Sequence, residues 1–172
     1  MNKKVRLPLL ATTLVLVAGV LALHAAASPP NHANRFEATF SESTASVTNR
    51  IADLGVFQLI NTGEGTVEGF GAAKMMLATS QDRTVHPCGA GSWTNAGFRR
   101  IVVEAGVLIM RGTGDVCQTP SGPVVPNERW TVDGSSSTGV FAGARGRGNG
   151  TVDITNRKST LSGWLKLAHE SD

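Results

Sequence analysis

The stretch "STGVFAGARGRGNGTVDI", from Ser137 to Ile154, combines five glycines with two arginines. Such a composition suits a phosphate-binding loop or an RNA-binding tail, but no G-x-x-x-x-G-K-[ST] or G-x-G-x-x-G motif occurs from Gly139 to Gly150. Arg145 and Arg147 belong to a single RGRG rather than a repeated array. We therefore predict two consecutive strands, STGVFAG and GTVDI, with glycines at the bend between them. A weak anion contact by the two arginines remains open.

The rest of the chain alternates short apolar runs with clusters of Gly, Asn, Asp, Ser and Pro. This punctuation is typical of hairpins and meanders, and no segment sustains a helical period over three turns. About eight to ten short strands predict an all-β fold, either an antiparallel β-barrel of about eight strands or a β-sandwich. The predicted strands are RFEATF, GVFQLI and TVEGFG around the turn NTGEG, AKMMLAT, FRRIVVE, VLIMRG, ERWTVDG, GVFAG, GTVDI and TLSGWLKL.

The first residues have the organisation of a secretory signal peptide. Three basic residues precede the apolar run Leu7–Leu23, and Ala25 and Ala27 supply the small residues that a signal peptidase requires. We predict cleavage between Ala27 and Ser28, a secreted or periplasmic protein, and no membrane attachment after cleavage. The alternative is a single transmembrane anchor formed by the same apolar region.

Cleavage changes the charge balance. The full chain has 16 basic and 13 acidic residues, and removal of residues 1–27 leaves 13 of each, so no nucleic-acid partner is expected. The predicted organisation is a signal peptide at 1–27, a flexible segment at 28–34 and a single β-barrel domain at 35–168. Asn149 begins an Asn-Gly-Thr sequon, which matters only in a host that glycosylates exported proteins.

The chain has two cysteines, Cys88 and Cys117. In an oxidising compartment an even number of cysteines usually indicates a disulfide, so we predict that these two are bridged. A zinc site would lack its usual four ligands, even with His86 two positions before Cys88. We predict no metal site and no cofactor.

The apolar hairpin Phe98–Arg111 must turn near its centre. We expect a three-residue loop with Gly106 in a left-handed conformation and Val103 opposite Val107, because alanine disfavours positive φ. A two-residue loop would instead place Val103 opposite Leu108.

Both registers leave apolar side chains on the two faces of this hairpin, which predicts that its outer face is covered. A second subunit would make the protein a homo-oligomer, and the alternative cover is the segment Thr119–Glu128. Arg100 and Arg111 oppose each other only in the two-residue register, where they would repel unless an anion lay between them.

Gly139, Phe141, Ala144 and Gly146 are spaced as G-x-F-x-x-A-x-G between predicted strands. This spacing resembles the glycine signature of the dirigent and allene oxide cyclase-like barrels, whose small exported bacterial members carry a similar GxFAGAxGxG stretch. The resemblance implies an eight-stranded antiparallel barrel, often trimeric, with a largely apolar interior that in plant members orients or cyclises a hydrophobic intermediate. The matched positions are architectural, so no catalytic residue transfers, and the chain lacks the tyrosine that plant catalysts place at the ligand.

No G-x-S-x-G or H-E-x-x-H motif is present, so we predict no catalytic residues and leave the ligand-binding residues unassigned. Acidic residues that could point into a barrel as acids or bases are Glu68, Glu104 and Asp133. The tryptophans that could line an apolar pocket are Trp93, Trp130 and Trp164. The histidines, interpreted as loop or terminal residues, are His32, His86 and His169.

These observations favour an exported, non-catalytic barrel that binds a small apolar ligand or a partner protein. One alternative is an isomerase or cyclase that acts by confining a hydrophobic substrate, and another is a cell-surface structural protein. A cavity of a few hundred Å³ with one or two inward charged groups would favour the enzyme. A barrel filled by its own side chains would favour a structural or partner-binding module.

Overall fold

The computed structural model describes residues 34–51 and 55–168. The predicted signal peptide, the cleavage site between Ala27 and Ser28 and nearly all of the segment 28–34 lie outside the described residues. The described chain contains β-strands and turns, with no helix among residues 34–51 and 55–168. The strands are β1 (Asn34–Ile51), β2 (Val56–Val67), β3 (Gly71–Asp82), β4 (Trp93–Val103), β5 (Gly106–Thr119), β6 (Gly122–Val132), β7 (Thr138–Gly139), β8 (Arg145–Asp153) and β9 (Lys158–Lys166).

All strand pairs are antiparallel, in the order β4-β3-β2-β1-β9-β8-β6-β5, and β4 also pairs with β5. That last pairing closes the sheet, so eight strands form a barrel. The two-residue strand β7 adds to one end of β5. The predicted all-β barrel is confirmed, and the alternative of a sandwich is not adopted.

The barrel has two different ends. The connections β1–β2, β3–β4, β5–β6 and β8–β9 lie at the end that we call the open end. The turns β2–β3 and β4–β5 and the connection 133–144 lie at the closed end. Phe141, from this connection, is fully buried, and its ring centroid lies 4.8 Å from that of Phe70 in the β2–β3 turn. The connection therefore seals the barrel at the closed end.

Strand alternation directs one set of side chains inward, and these fill the closed half. The main core contains Phe36, Ala38, Phe40, Val67, Ala73, Met75, Leu77, Ile101, Val103, Leu108, Met110, Trp130, Phe141, Ala144, Leu161, Leu165 and Leu167. Most of them are large aliphatic or aromatic residues, so burial of apolar surface stabilises this half. A barrel of eight strands is just wide enough for such side chains to fill.

The glycines of the RGRG stretch face inward, while Arg145 and Arg147 are exposed on the outer surface. A Cβ atom on Gly148 would lie 2.3 Å from Cζ2 of Trp130, and one on Gly163 would lie 2.7 Å from the same atom. Any larger residue would collide with the indole. The glycines therefore make room for a tryptophan inside the barrel, and the arginines alternate with them because successive side chains of a strand point to opposite faces.

The four positions that carry the family resemblance lie at or near the closed end. Phe141 and Ala144 are buried there. Gly139 has a φ of 64°, and a Cβ on it would lie 2.2 Å from the carbonyl oxygen of Ala105. A Cβ on Gly146 would lie 2.5 Å from the carbonyl oxygen of Trp164. These positions serve close packing of backbone against backbone.

Two local strand predictions are wrong. The stretch NTGEG is the middle of the continuous strand β2 rather than a turn. A Cβ on Gly65 would lie 1.8 Å from the carbonyl oxygen of Thr39, so glycine here permits close approach of β1. The stretch GVFAG is mostly a turn, because only Thr138–Gly139 pairs with β5.

Both registers predicted for the central hairpin are also wrong. Val103 pairs with Gly106, so the loop consists of Glu104 and Ala105, and it is one residue shorter than the expected three-residue loop and one residue earlier than the two-residue alternative. Gly106 has a φ of 150°, and a Cβ on it would lie 2.3 Å from the carbonyl oxygen of Thr138. The glycine is therefore needed at the start of β5, where another backbone segment packs against it, and not within the loop.

The segment 133–142 bonds to one edge of this hairpin. Ile109 donates its backbone N–H to Oγ of Ser137 over 2.9 Å, and Val140 donates to the carbonyl oxygen of Ala105 over 3.1 Å. The predicted cover by Thr119–Glu128 is wrong, because most of that stretch is the barrel strand β6.

In the observed register Arg100 pairs with Ile109, and Arg111 pairs with Phe98. The repulsive arginine pair of the two-residue register therefore does not form. Phe98 remains 41% exposed on the outer surface.

Candidate ligand-binding site

A cavity of about 260 Å³ lies inside the open half of the barrel. This volume is about that of nine molecules of liquid water. Part of its wall is a small apolar cluster of Val116, Val125 and Val152, with Trp93 packed against it. Further lining residues include Phe57, Leu59, Asn61, Leu77, Thr79, Gln81 and Asn95. The barrel is therefore packed at one end and hollow at the other.

A buried charge cluster lies between the hollow half and the main core. Arg99 points inward from β4, and its guanidinium contacts Glu42 of β1 at 3.2 Å and Glu128 of β6 at 2.5 Å. All three residues are buried. Glu42 also lines the cavity. A charge in a protein interior requires such partners, because an unpaired one would retain the full cost of removal from water.

Burial alone would lower the pKa of Arg99. The negative charge and hydrogen bonds of Glu128, followed by those of Glu42, outweigh this desolvation and raise the pKa of Arg99 above its ordinary value. Arg99 therefore stays charged inside the barrel. Glycines on the neighbouring strand leave space for the cluster, since a Cβ on Gly112 would lie 2.6 Å from Oε1 of Glu128.

Four buried polar atoms without a hydrogen-bond partner belong to residues that line the cavity. They are Oδ1 of Asn61, Oγ1 of Thr79, Nε1 of Trp93 and Oδ1 of Asn95. Thr79 is only 6% exposed. A buried polar atom that makes no hydrogen bond destabilises the folded protein by about 1–3 kcal/mol. Four such atoms are concentrated in residues around one cavity.

The orientation of one of these amides is fixed by its surroundings. Asn61 donates from Nδ2 to Oε2 of Glu42 over 3.1 Å. This hydrogen bond assigns the nitrogen end of the amide to the side facing Glu42. The oxygen Oδ1 therefore lies on the opposite side, where it can accept a hydrogen bond. The indole Nε1 of Trp93 can only donate, while the hydroxyl of Thr79 can do either.

Aromatic rings and cations lie at the mouth of the cavity. Cζ of Arg83 is 4.6 Å from the ring centroids of both Phe57 and Trp93, which is a cation–π geometry. Arg83 also donates from Nη2 to Oε1 of Gln81 over 3.3 Å. Arg157 lines the same mouth from the β8–β9 turn. The rim is open to solvent, since Arg83 and Arg157 are both exposed.

The predicted disulfide between Cys88 and Cys117 is confirmed. It joins the β3–β4 connection to β5 at the open end, with the two Cα atoms 5.4 Å apart. The same connection is held by Ser92, whose hydroxyl accepts from the backbone N–H of Cys88, and by Nδ1 of His86, which lies 2.7 Å from the carbonyl oxygen of Ser92. The bridge is compatible with an oxidising compartment.

The three tryptophans that were considered as pocket residues lie in three different environments. Trp93 lines the cavity, Trp130 fills the closed half, and Trp164 lies on the outer surface with 37% of its area exposed. Only one of the three therefore belongs to the site.

The acidic candidates lie away from the cavity. Glu68 and Glu104 are exposed in turns at the closed end. Asp133 accepts hydrogen bonds from Ser135 and Arg111, which lower its pKa to about 2. Among the described residues no group of three or more His, Cys, Asp or Glu side chains could hold a metal ion. His32 and His169 lie outside the described residues.

The sequence contained one signal for the charge cluster that the prediction missed. Arg99 alternates with Ile101 and Val103 along β4, and all three point inward. An arginine in phase with buried aliphatic residues requires buried carboxylates, but which ones could not be read from the sequence. Glu42 and Glu128 lie 57 and 29 residues away along the chain.

No protein-family model matches the chain, and no curated protein matches it by sequence. In the described part of the chain, no helix is long and apolar enough to cross a membrane.

Proposed function

We propose that this chain is an exported small β-barrel that binds one small ligand in the cavity of its open half. The observation that carries the proposal is the set of four unpartnered buried polar atoms, from Asn61, Thr79, Trp93 and Asn95, at a single cavity. A ligand that hydrogen-bonds to them would remove their desolvation penalty at the moment of binding.

The walls favour a ligand with a largely apolar body. Val116, Val125, Val152 and Leu59 line the cavity together with the aromatic rings of Phe57 and Trp93. A few polar groups in a mainly apolar pocket are typical of small-molecule sites, where they fix the orientation of the ligand. At about 260 Å³ the cavity suits a compact molecule near the lower limit for such sites.

Export is the second part of the proposal. Its support is the signal-like N-terminal sequence together with the disulfide between Cys88 and Cys117. N-terminal sequencing of the protein from its own host should give Ser28 as the first residue. An intact N-terminus in the membrane fraction would instead favour the alternative of an anchor.

Ligand binding is tested by native mass spectrometry of the protein purified gently from its own host. The wild type should carry one small molecule per chain. Leu59→Trp, which fills the cavity, should lose it, whereas Val140→Trp on the outer surface should keep it. A ligand-free wild type that also binds nothing in a fragment screen would contradict the proposal and favour a structural module. A molecule retained by Leu59→Trp would place binding elsewhere.

One observation favours the second candidate, an isomerase or cyclase that acts by confinement. A carboxylate, that of Glu42, lines the cavity, and Asn61 and Arg99 hold it in place by hydrogen bonds to its two oxygens. If this candidate is right, Glu42→Gln should retain the bound molecule but stop its conversion. Equal conversion by wild type and variant would exclude a role for this carboxylate.

Exposed aromatic side chains on the outer surface support the further proposal that the protein is a homo-oligomer. Phe98 and Trp164 remain 41% and 37% exposed there, and the segment 133–142 bonds to only one edge of the hairpin. The mass of the intact assembly in the same spectra reads the subunit number directly. A single-chain mass would contradict oligomerisation and leave ligand binding untouched.

A further inference from the structure

We propose that the ligand of this cavity is a small organic cation that carries an amidinium, guanidinium or primary ammonium group on an apolar body. This inference rests on the ligand-binding function proposed above. Three independent features of the open half favour it: the sign of the buried charge, the unpartnered polar atoms that can accept hydrogen bonds, and the pair of aromatic rings at the mouth.

The buried charge is the first feature. Glu42 and Glu128 share the single cation Arg99, so the formal charge of the cluster is negative. Glu42 is the member that lines the cavity, and it presents this excess to whatever binds there. Charges interact more strongly in the protein interior than in water, so a cationic group gains from approach to the cluster. At the rim, Asp153 and Arg157 have opposite formal charges and offset one another, which leaves Arg83 as one further cation that a cationic ligand must displace.

The unpartnered polar atoms are the second feature. Oδ1 of Asn61 is an acceptor, and the hydroxyl of Thr79 and the side-chain amide of Asn95, which no hydrogen bond orients, can each accept as well as donate. Only Nε1 of Trp93 must donate. An amidinium, guanidinium or ammonium group carries several N–H donors and no acceptor. Such a head group therefore complements most of this set, while a carboxylate would face the acceptor oxygen of Asn61, which repels it.

The mouth of the cavity supplies the third feature, because it already holds a guanidinium. Arg83 places its Cζ 4.6 Å from the centroids of Phe57 and Trp93 and donates to the side-chain oxygen of Gln81. The two rings and the amide oxygen thus form a subsite for a planar cation. Arg83 is exposed as a whole and can move into solvent. We infer that Arg83 competes with the ligand for this aromatic subsite.

A matched series of three single-ring compounds isolates the role of charge. Benzamidinium, benzamide and benzoate have nearly the same size and shape, but their head groups are cationic, neutral and anionic. The protein from its host is titrated with each compound, and the NMR signal of the Trp93 indole N–H is monitored to measure all three affinities. Benzamidinium should bind about tenfold more tightly than benzoate, with benzamide between them. Equal affinities, or tightest binding of benzoate, would overturn the inference.

Removal of Arg83 tests the competition. Arg83→Ala should bind benzamidinium about two- to fivefold more tightly than the wild type, because the aromatic subsite becomes free. Arg157→Ala is the matched control, since it also removes a rim cation but leaves the subsite filled. It should change this affinity by less than about twofold, as expected for an exposed and screened charge. Equal effects of the two variants, or weaker binding by Arg83→Ala, would overturn the competition.

The same titrations separate this inference from the ligand-binding function beneath it. Binding of benzamide or benzoate at the Trp93 resonance, without preference for benzamidinium, contradicts the cationic ligand but leaves a functional cavity. If none of the three compounds shifts that resonance in either the wild type or Arg83→Ala, both proposals fail.

Discussion

Trp130 lies in the closed half of the barrel and Trp93 in the open half, and their indole N–H groups differ in hydrogen bonding. In the closed half, Nε1 of Trp130 donates to the carbonyl oxygen of Asn149 over 2.9 Å, and the ring packs edge-on against Phe36. In the open half, Nε1 of Trp93 is buried without a partner beside a cavity. The indole N–H in the closed half is satisfied by the chain itself, and the one in the open half has no hydrogen-bond partner among the described residues.

This difference separates a tightly packed half of the barrel from a hollow one, and ligand binding in the hollow half is the proposal that the following predictions test. The closed half has a continuous apolar core, while the open half contains only a small apolar cluster. The buried group of Arg99, Glu42 and Glu128 lies between them. Substitutions in the closed half should therefore reduce stability, and substitutions in the open half should change binding first.

The largest effect is expected where the two halves meet. Arg99→Met leaves the carboxylates of Glu42 and Glu128 buried without a cation and should destabilise the fold by about 3–5 kcal/mol. Arg147→Met, on the outer surface, should change stability by less than about 0.5 kcal/mol. Urea denaturation measures both variants, and similar stabilities would mean that the cluster is not required.

Substitution of each of the two tryptophans directly tests the difference in packing between the two halves. Trp130→Ala should destabilise the protein by about 3–5 kcal/mol, because it leaves a large cavity in the packed half and removes the hydrogen bond to the carbonyl oxygen of Asn149. Trp93→Ala should cost at most about 2 kcal/mol, because its side chain already borders a cavity and is only partly buried. Chemical denaturation of both variants measures the difference. Equal losses would show that the open half is as tightly packed as the closed one.

The disulfide allows a further comparison of the two halves, because it lies at the open end. Replacement of Cys88 and Cys117 by serine removes a link across 29 residues and should cost about 3 kcal/mol in the chain-entropy account. Because the bridge holds the β3–β4 connection, hydrogen exchange should accelerate at residues 83–92 more than in the closed half. Uniform acceleration along the barrel would contradict a local role for the bridge.

Removal of a single hydroxyl should affect stability and ligand affinity in opposite directions. Thr79→Val removes an unpartnered buried oxygen, so the free protein should become about 1 kcal/mol more stable while its affinity for the ligand falls. Ser159→Ala removes another unpartnered buried hydroxyl, one that does not line the cavity, and should leave affinity unchanged. Thermal unfolding without benzamidinium measures the stability of each variant, and the increase in Tm on its addition measures the affinity. A loss of affinity in Ser159→Ala would refute the assignment of the cavity as the site.

The smallest effect concerns pH at the closed end. Hydrogen bonds from Ser135 and then from Arg111 lower the folded-state pKa of Asp133 to about 2, below its unfolded value of about 4. Its contribution to stability is therefore complete above about pH 4 and disappears as the pH falls from about 4 to about 2. Asp133→Asn should flatten this part of the stability profile, measured by urea midpoints, and an unchanged slope would contradict the role of this carboxylate.

The barrel and the bridge of Cys88 to Cys117 could be predicted because both follow from local patterns. Alternating strands, turn residues and an even number of cysteines are visible in short windows of sequence. The hairpin register could not be predicted, because Gly106 is needed for contact with the distant residue Thr138. A turn preference alone therefore placed Gly106 within the loop, whereas it is the first residue of β5.

The cavity was beyond sequence reasoning for the same physical reason. Its polar groups come from different strands, and Asn61, Thr79, Trp93 and Asn95 look like ordinary strand residues one at a time. Whether a buried polar atom lacks a partner depends on every neighbouring strand at once. The sequence analysis therefore predicted a barrel interior and named Trp93 as a residue that could line it, but it did not identify Asn61, Thr79 and Asn95.

The most direct test of the central claim is a crystal structure of the protein purified from its own host, at a resolution that identifies ordered water. The account predicts non-protein density in the open half that is not water and that hydrogen-bonds to Asn61, Thr79 and Asn95. It also predicts an unbroken apolar core in the closed half. A cavity filled by a few waters that satisfy all four polar atoms, with no bound molecule, would contradict it.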